Sequence, residues 1–521
     1  DAETRQRYET REIGAVNFGL ETNLNDWAID AKVSYSWAQE DDSDNADVTF
    51  RNDDKAFGGE IYWSNPKRPY LVAYDATLRD PANLGFDAFE MWANISDDEE
   101  LSFEFNAEKE TSIGVVKAGF KTRSRTKDVN DYIIGYTWDG ATMADWDSGT
   151  VNDWFFANQV FGNHVSGATA YDMRNQVAQM DVDFEDAISR DFTTDENINA
   201  VYVQDTIELE NAVVIAGVRY ERTKTDSKAY DQDGNRTSSD KSYGFLSPSV
   251  TVKYFINDQV QLRAAIWRGL SRPGFTQTAP ITSVNYGTAG DVSGSVGNPD
   301  LKPYEATNFD LSLEYYGEDM TYAAIGIFRK DIKNAIYPTV QKVATINGIA
   351  FNDGVETWIN SGDSYINGLE LNGQYGWDNG LYVAANLTFT DSESEFKFED
   401  SSVFKTPFRK LAEKAANISV GYDKGPWDVR LAGNYRSEYI DWLADEDGDI
   451  GNVSKNNTRW VAPFMQFDLV AKYKVNEKLT ARFEAANLNN RPEYYYWGNK
   501  GQLSQYDIYG KNYTIGVEYT F

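Results

Sequence analysis

The chain ends "KNYTIGVEYTF" (511–521). Large apolar side chains fall on every second position: Tyr513, Ile515, Val517, Tyr519 and Phe521. Thr514, Gly516, Glu518 and Thr520 lie between them. Successive side chains of a strand point to opposite faces, so this stretch reads as a β-strand with one apolar and one polar face.

The same alternation recurs upstream. In "WAIDAKVSYSWA" (27–38), Trp27, Ile29, Ala31, Val33, Tyr35 and Trp37 oppose Asp30, Lys32, Ser34 and Ser36. In "NFDLSLEYY" (308–316), Phe309, Leu311, Leu313 and Tyr315 oppose Asp310, Ser312 and Glu314. In "WDVRLAGNYR" (427–436), Trp427, Val429, Leu431 and Tyr435 oppose Asp428, Arg430, Asn434 and Arg436. Short turns join the segments in pairs: "NLND" (23–26), "FIND" (255–258), "YGED" (316–319), "WDNG" (377–380), "DKGP" (423–426) and "VNEK" (475–478). Long polar stretches follow each second strand, at 39–55, 128–195, 226–241, 272–302, 393–406 and 441–458. The regions 57–98 and 128–195 show no clear rhythm, and no convincing helix is present.

A soluble sandwich or propeller would bury the apolar faces; a membrane barrel turns them to lipid and keeps the polar faces in an enclosed lumen. Three features favour the barrel. The polar faces carry full charges, the strands are longer than is usual in soluble proteins, and aromatics gather at strand ends, as at Trp37, Tyr220, Tyr254, Trp377 and Tyr473. That placement matches the two interfacial girdles of such barrels. No repeat with a shared motif supports a propeller. The expected fold is all-β: a transmembrane antiparallel up-and-down barrel over 1–521, with short periplasmic turns and long extracellular loops. A closed barrel pairs its last strand with its first.

Composition removes other functions. The chain holds 49 Lys and Arg against 82 Asp and Glu, a net charge of −33, so nucleic acid is not a partner. It has no cysteine and one histidine, His164, so disulfides, thiolate metal sites and haem ligation find no support, and no enzyme is expected. Clustered carboxylates in "ADEDGDIGN" (444–452) make Asp445, Asp447 and Asp449 candidate calcium ligands, the one cofactor the residues admit; solvated loop acid is the simpler reading. Aromatics at strand ends and in loops suit sugar rings, and the acidic loops would repel an anionic chelate. Candidate solute contacts are Trp267, Arg272, Tyr337, Trp358, Trp442, Trp460, Tyr495 and Trp497.

One run is more specific. Ser271-Arg272-Pro273-Gly274-Phe275 is followed by Gly297-Asn298-Pro299 and Leu301-Lys302-Pro303. Glu314-Tyr315-Tyr316, Phe328 with Lys330-Asp331-Ile332, and Gly368-Leu369-Glu370 come next. In order and spacing these resemble the C-terminal barrel of TonB-dependent outer-membrane receptors, closest to the carbohydrate-uptake branch. The resemblance implies about 22 strands, location in the bacterial outer membrane, and Tyr519 and Phe521 as a barrel-assembly signal. It implies as partners outer-membrane lipid and lipopolysaccharide, the barrel-assembly machinery, a surface lipoprotein, and the TonB complex, reached through an N-terminal segment. That segment and the family's plug domain are expected upstream of Asp1 and are missing here. The implied function is TonB-dependent uptake of a scarce solute, an oligosaccharide by preference. A passive porin-like channel and a ferric-siderophore receptor are the alternatives.

Overall fold

The computed structural model describes residues 2–521 except 53–58, 63–69, 74–79, 153–159, 187–188, 232–233, 287–289, 342, 398–402 and 444–457. Seventeen strands follow one another as an antiparallel meander. They are β1 (Thr10–Leu24), β2 (Trp27–Asp42), β3 (Gly85–Glu110), β4 (Val115–Thr137), β5 (Phe192–Leu209), β6 (Ala212–Tyr230), β7 (Arg236–Phe255), β8 (Val260–Ser271) and β9 (Tyr304–Tyr316). The series continues with β10 (Tyr322–Lys333), β11 (Ser364–Gly376), β12 (Leu381–Lys397), β13 (Lys414–Lys424), β14 (Trp427–Arg436), β15 (Phe464–Lys474), β16 (Leu479–Ala486) and β17 (Asn512–Tyr519). Four shorter strands, Ala2–Gln6, Ala46–Arg51, Asp181–Asp186 and Val403–Thr406, extend this sheet to 21.

The six short turns fall where the sequence put them. In "WDNG", Gly380 has φ 95°, and a Cβ there would lie 2.5 Å from the Lys424 Cβ, so both backbone conformation and the neighbouring turn require glycine. The faces also separate as read. Register pairs Val201 with Tyr220 and Phe120, and Leu431 with Val420 and Leu469, giving one continuous apolar outer surface. The opposite face sets Lys121 beside Glu104 and Ala200, and Arg430 beside Gly421 and Val470. Outer-face side chains stay open, Val201 at 57% and Ile515 at 83%. That outer surface is the lipid face of a barrel wall.

The strands depart from expectation in height. β3 has 26 residues and β4 has 23, so β3 is about 85 Å long at ~3.3 Å per residue. Even when tilted, it rises far above an apolar band of about 25 Å. In the stretch 226–241, expected as loop, residues 226–230 and 236–241 are strand: Asp226 pairs with Asp240 and Lys228 with Ser238. Above the membrane both faces of a strand meet water, so alternation vanishes while hydrogen bonding continues. On β3 and β4 the elevated part carries Ala46–Arg51, Ala2–Gln6 and Asp181–Asp186, and a compact core of Val48, Phe50, Phe89, Met143 and Met173. A short helix, α1 (Gly167–Asp172), packs there; the Ser166 hydroxyl caps it by accepting from the Thr169 N–H at 3.1 Å.

Among the described residues β1 pairs with β2 and β17 with β16, and the expected pairing of last strand with first is not among them. β1 and β17 both run toward the short-turn end, whereas neighbours in this meander run in opposite directions.

Candidate functional site

The inner face of β3 and β4 carries a ladder of ion pairs. Lys121 Nζ lies 3.0 Å from Glu104 Oε2. Arg123 Nε donates to Glu100 Oε1 at 3.0 Å, and Arg125 Nε donates to Asp98 Oδ1 at 2.7 Å. Each guanidinium also bonds the second oxygen of its carboxylate through Nη2, giving two-pronged pairs. Nearer the short turns, Asn106 donates to Asp30 at 2.7 Å and accepts from the Tyr202 hydroxyl at 2.6 Å. This wall is charged and saturated with partners.

The segment leaving β8 folds back over the same wall. Arg272 Nη2 donates to Glu221 Oε2 at 2.6 Å, its Nε donates to Thr223 Oγ1 at 3.2 Å, and Glu196 lies 3.9 Å away. Phe275 opens a single turn, α2 (Phe275–Thr278), and its ring lies 4.8 Å from the Arg125 guanidinium. Phe275 and Ile281 pack on Phe192, Val129 and Ala229. Farther along the segment, Lys241 Nζ donates to the carbonyls of Pro299 (3.1 Å) and Leu301 (2.7 Å), and Thr237 Oγ1 donates to the Pro280 carbonyl at 3.0 Å. As a result Thr194 (0% exposed) and Glu196 (7%), both on the inner face, are buried. The "SRPGF" and "NPDLKP" motifs are thus anchored to the inner wall, where they form a lining.

A second wall is built from loops. Strands Tyr439–Trp442, Arg459–Val461, Glu493–Trp497 and Leu503–Asp507 form a separate four-stranded sheet above β14 to β17. Arg436, from the inner face of β14, lies with its guanidinium 4.8 Å from the Tyr439 ring and 5.3 Å from the Phe464 ring. Its Nη2 donates to Glu493 Oε1 at 2.9 Å. Arg459 lies 4.6 Å over the Tyr495 ring, bonds Gln505, and approaches Asp441 only to 3.7 Å. The Tyr495 hydroxyl donates to Glu493 Oε2 at 3.1 Å, so one carboxylate joins the two arginine sites. Burial and the Glu493 charge push the Tyr495 hydroxyl up to about 12. Arg409 and Arg491 stand nearby and donate to main-chain carbonyls, of Asp441 and Pro463. Burial holds both guanidinium groups below their ordinary value, and for Arg491 the neighbouring Arg436 acts in the same direction.

The sequence candidates are spread across this structure. Trp358 and Trp442 come together at a cavity of about 200 Å³, with Thr276, Ile281 and Glu356 also lining it. Trp442 lies under Arg409, 4.8 Å from its guanidinium. Tyr495 belongs to the arginine-bearing face, and Trp497 pairs with Arg459 across the strands. Trp460 faces away, into an outward cavity of about 640 Å³ shared with Lys414, Tyr435 and Lys500. Trp267 donates to Asp310 at 3.0 Å on the inner face of β8, and Arg272 holds the lining. Tyr337 is buried against Phe396 and Phe408, with its hydroxyl 2.9 Å from Ser394 Oγ and burial pushing it up to about 12. Asp445, Asp447 and Asp449 lie outside the described residues. Tyr519 and Phe521 meet edge to face at 5.3 Å at the end of the chain. Sequence reasoning passed over Arg409, Arg436, Arg459 and Arg491. The available signal was an arginine close to aromatics in "NYRSEY" and "TRWV", hidden by an acidic average.

A family model described as "TonB dependent receptor-like, beta-barrel" matches residues 4–488. Two curated relatives from Acinetobacter baumannii are the probable TonB-dependent siderophore receptors PirA and PiuA. PirA is 21% identical over 62% of this chain and 43% of its own length; PiuA is 23% identical over 64% and 42%. The chain therefore spans less than half the length of these relatives. Among solved structures, the siderophore receptor PiuA from A. baumannii superposes with a TM-score of 0.62 at 12% identity, covering 99% of this chain and 66% of that one. The ferric-catecholate import receptor Fiu from E. coli K12 gives 0.61 at 12% identity, covering 99% and 65%. At these identities the structures support the fold. The curated relatives are named for siderophores, where the strand motifs had suggested the carbohydrate-uptake branch.

Proposed function

The chain belongs to the TonB-dependent receptor-like β-barrel family of the outer membrane, and from that premise we propose that the protein takes up a ferric siderophore, driven through the TonB complex. The observation that carries this reading is the loop wall holding Arg409, Arg436, Arg459 and Arg491. A net charge of −33 suggested that an anionic chelate would be repelled. Field at a binding surface depends on the nearest charges, because distant exposed ones are screened within about 8–10 Å; here four arginines stand against the nearby Glu493, Asp441 and Glu438. The names of the curated relatives favour the same class of solute.

In this reading the ion-paired inner wall offers the solute a polar path past the lipid, and the protein does no covalent chemistry. An oligosaccharide remains the second reading, favoured by Trp358 and Trp442 at one cavity. Uptake of radiolabelled ferric chelates and of labelled oligosaccharides should be compared in a deletion strain and its complemented parent, with and without functional TonB. Chelate uptake that needs both the gene and TonB is the expected result. Gene-dependent uptake indifferent to TonB would replace the receptor with a passive channel. An oligosaccharide phenotype with no chelate phenotype would reverse the choice of solute.

A further inference from the structure

The outward cavity of about 640 Å³ that holds Trp460 has a definite height in the membrane. β13 has 11 residues and β14 has 10. At ~3.3 Å per residue and a tilt of about 45°, each rises about 25 Å, the thickness of the apolar band. β12, with 17 residues, climbs beyond them. The tops of β13 and β14 therefore stand at the outer boundary of the hydrocarbon. The cavity is lined by Lys414, Tyr435 and Ser437 from those tops, so it opens at the level of the lipid headgroups.

What lies below fixes the kind of occupant. The outward positions of β13 read Lys414, Ala416, Ile418, Val420, Tyr422 and Lys424. Ile418 is 48% exposed and Val420 54%, and Val420 lies beside Val383 of β12 and Leu431 of β14. A lysine thus closes each end of an apolar stripe. Such a side chain lays its stem on hydrocarbon and lifts its ammonium group toward the phosphates. At the lower end Lys424 Nζ donates to the Asp378 carbonyl at 2.7 Å. At the upper end Lys414 forms no ion pair among the described residues.

The rest of the cavity suits the same layer. Lys500 lines it, with Nζ 2.7 Å from Glu438 Oε2 and the side chain 58% exposed. An exposed ion pair holds weakly, and an ammonium group has three N–H donors, so a second acceptor can share it. Lys405 is taken up by Glu393 and Glu395, at 2.7 and 3.0 Å. Tyr435 and Trp460 supply the rings that settle at a membrane boundary. The Trp460 N–H is already bonded, to Thr458 Oγ1 at 2.8 Å, which leaves the ring for contact. Glu413 and Glu438 border the cavity as well, so a soluble anion gains little by entering. A phosphate carried on a lipid is held there by its chains, which raises its effective concentration.

We infer that Lys414 and Lys500, with Tyr435 and Trp460, seat the phosphate-bearing headgroup of an outer-leaflet lipid, whose chains lie on Ala416, Ile418 and Val420. The inference uses the lipid face of the wall and is independent of the solute that the protein carries.

The test uses the full-length protein in detergent micelles, with retained lipid counted by native mass spectrometry. The probes are an acylated glucosamine disaccharide bearing two phosphates, the same lipid without phosphates, and inorganic phosphate as competitor. Wild-type protein should retain the phosphorylated lipid more tightly than the unphosphorylated one, and excess inorganic phosphate should not displace it. Lys414→Gln with Lys500→Gln should weaken retention of the phosphorylated lipid by about 30-fold, since a charge-assisted bond is worth roughly tenfold and Lys500 is shared with Glu438. Lys424→Gln, on the same stripe at the opposite boundary, should change it by less than about twofold. Unchanged heat-dependent gel mobility shows that the variants still fold. Retention that survives the double change overturns the seat, and so does an equal loss in Lys424→Gln, which would mark a general effect of charge. Equal retention of the two lipids, or of neither, overturns the role of the phosphate. Displacement by inorganic phosphate overturns the lipid as occupant in favour of a soluble anion.

Discussion

Two walls of the same protein use arginine in opposite ways. On β3 to β6, Arg123, Arg125 and Arg272 all end on carboxylates. In the loop sheet beyond β14, Arg436 and Arg459 lie beside rings, bond Glu493 and Gln505, and each keep one donor atom unbonded. The first arrangement holds a structure together. A paired charge in a partly dry site is expensive to disturb and has little left to offer a visitor. In the second arrangement a ring lies within about 5 Å of each guanidinium and part of the hydrogen-bonding edge is not used. Residue type alone cannot tell the two apart; the partner of each N–H group does.

The largest expected effect lies on the saturated wall. Arg272→Ala leaves Glu196 without its nearest cation and takes from Glu221 one of two arginine partners, the other being Arg219 at 2.8 Å; both carboxylates are mostly buried. It should cost about 3–5 kcal/mol, read as a lower urea midpoint for loss of the folded gel band and as new protease cleavage within 273–281. If the segment stays protected, the lining is held by its apolar contacts and not by the ion pair. Phe275→Ala should come next, at about 1–3 kcal/mol, because a half-buried ring and its contact with Arg125 are lost. A double-mutant cycle with Arg125→Gln would isolate the ring–cation part.

Lys241→Met should cost about 1–2 kcal/mol, by leaving the Pro299 and Leu301 carbonyls without their donor. Hydrogen exchange of the amides around Leu301 would report it. The smallest stability effect is expected at the second wall: Arg459→Gln should shift the urea midpoint by less than about 1 kcal/mol equivalent, since Asp441 at 3.7 Å is a weak partner. A loss as large as that at Arg272 would erase the distinction between the walls.

Much of the fold was readable because lipid and lumen impose one rule on every spanning strand. The alternation in 27–38, 308–316 and 427–436 and the six short turns are consequences of that rule, and they stand in the structure. Where water lies on both sides the rule lapses. Asp226, Lys228, Ser238 and Asp240 look like loop although they sit in register on β6 and β7. The outcrop on β3 was hidden for a related reason: its core of Val48, Phe50, Phe89 and Met173 comes from segments far apart in sequence. The motif residues Arg272 and Lys302 were legible as landmarks. That the motif segments are folded back inward depends on Lys241 and Glu221, which no local pattern links to them. The acidic total pointed away from the arginine wall because a sum over 521 residues carries no positions.

The outer flanks of β1 and β17 share a direction. Among the described residues both strands run toward the short-turn end, while every neighbouring pair in the sheet is antiparallel. These two flanks therefore could not zip to each other by the pairing rule that governs the rest of the wall, in a solvent that leaves no peptide group unsatisfied.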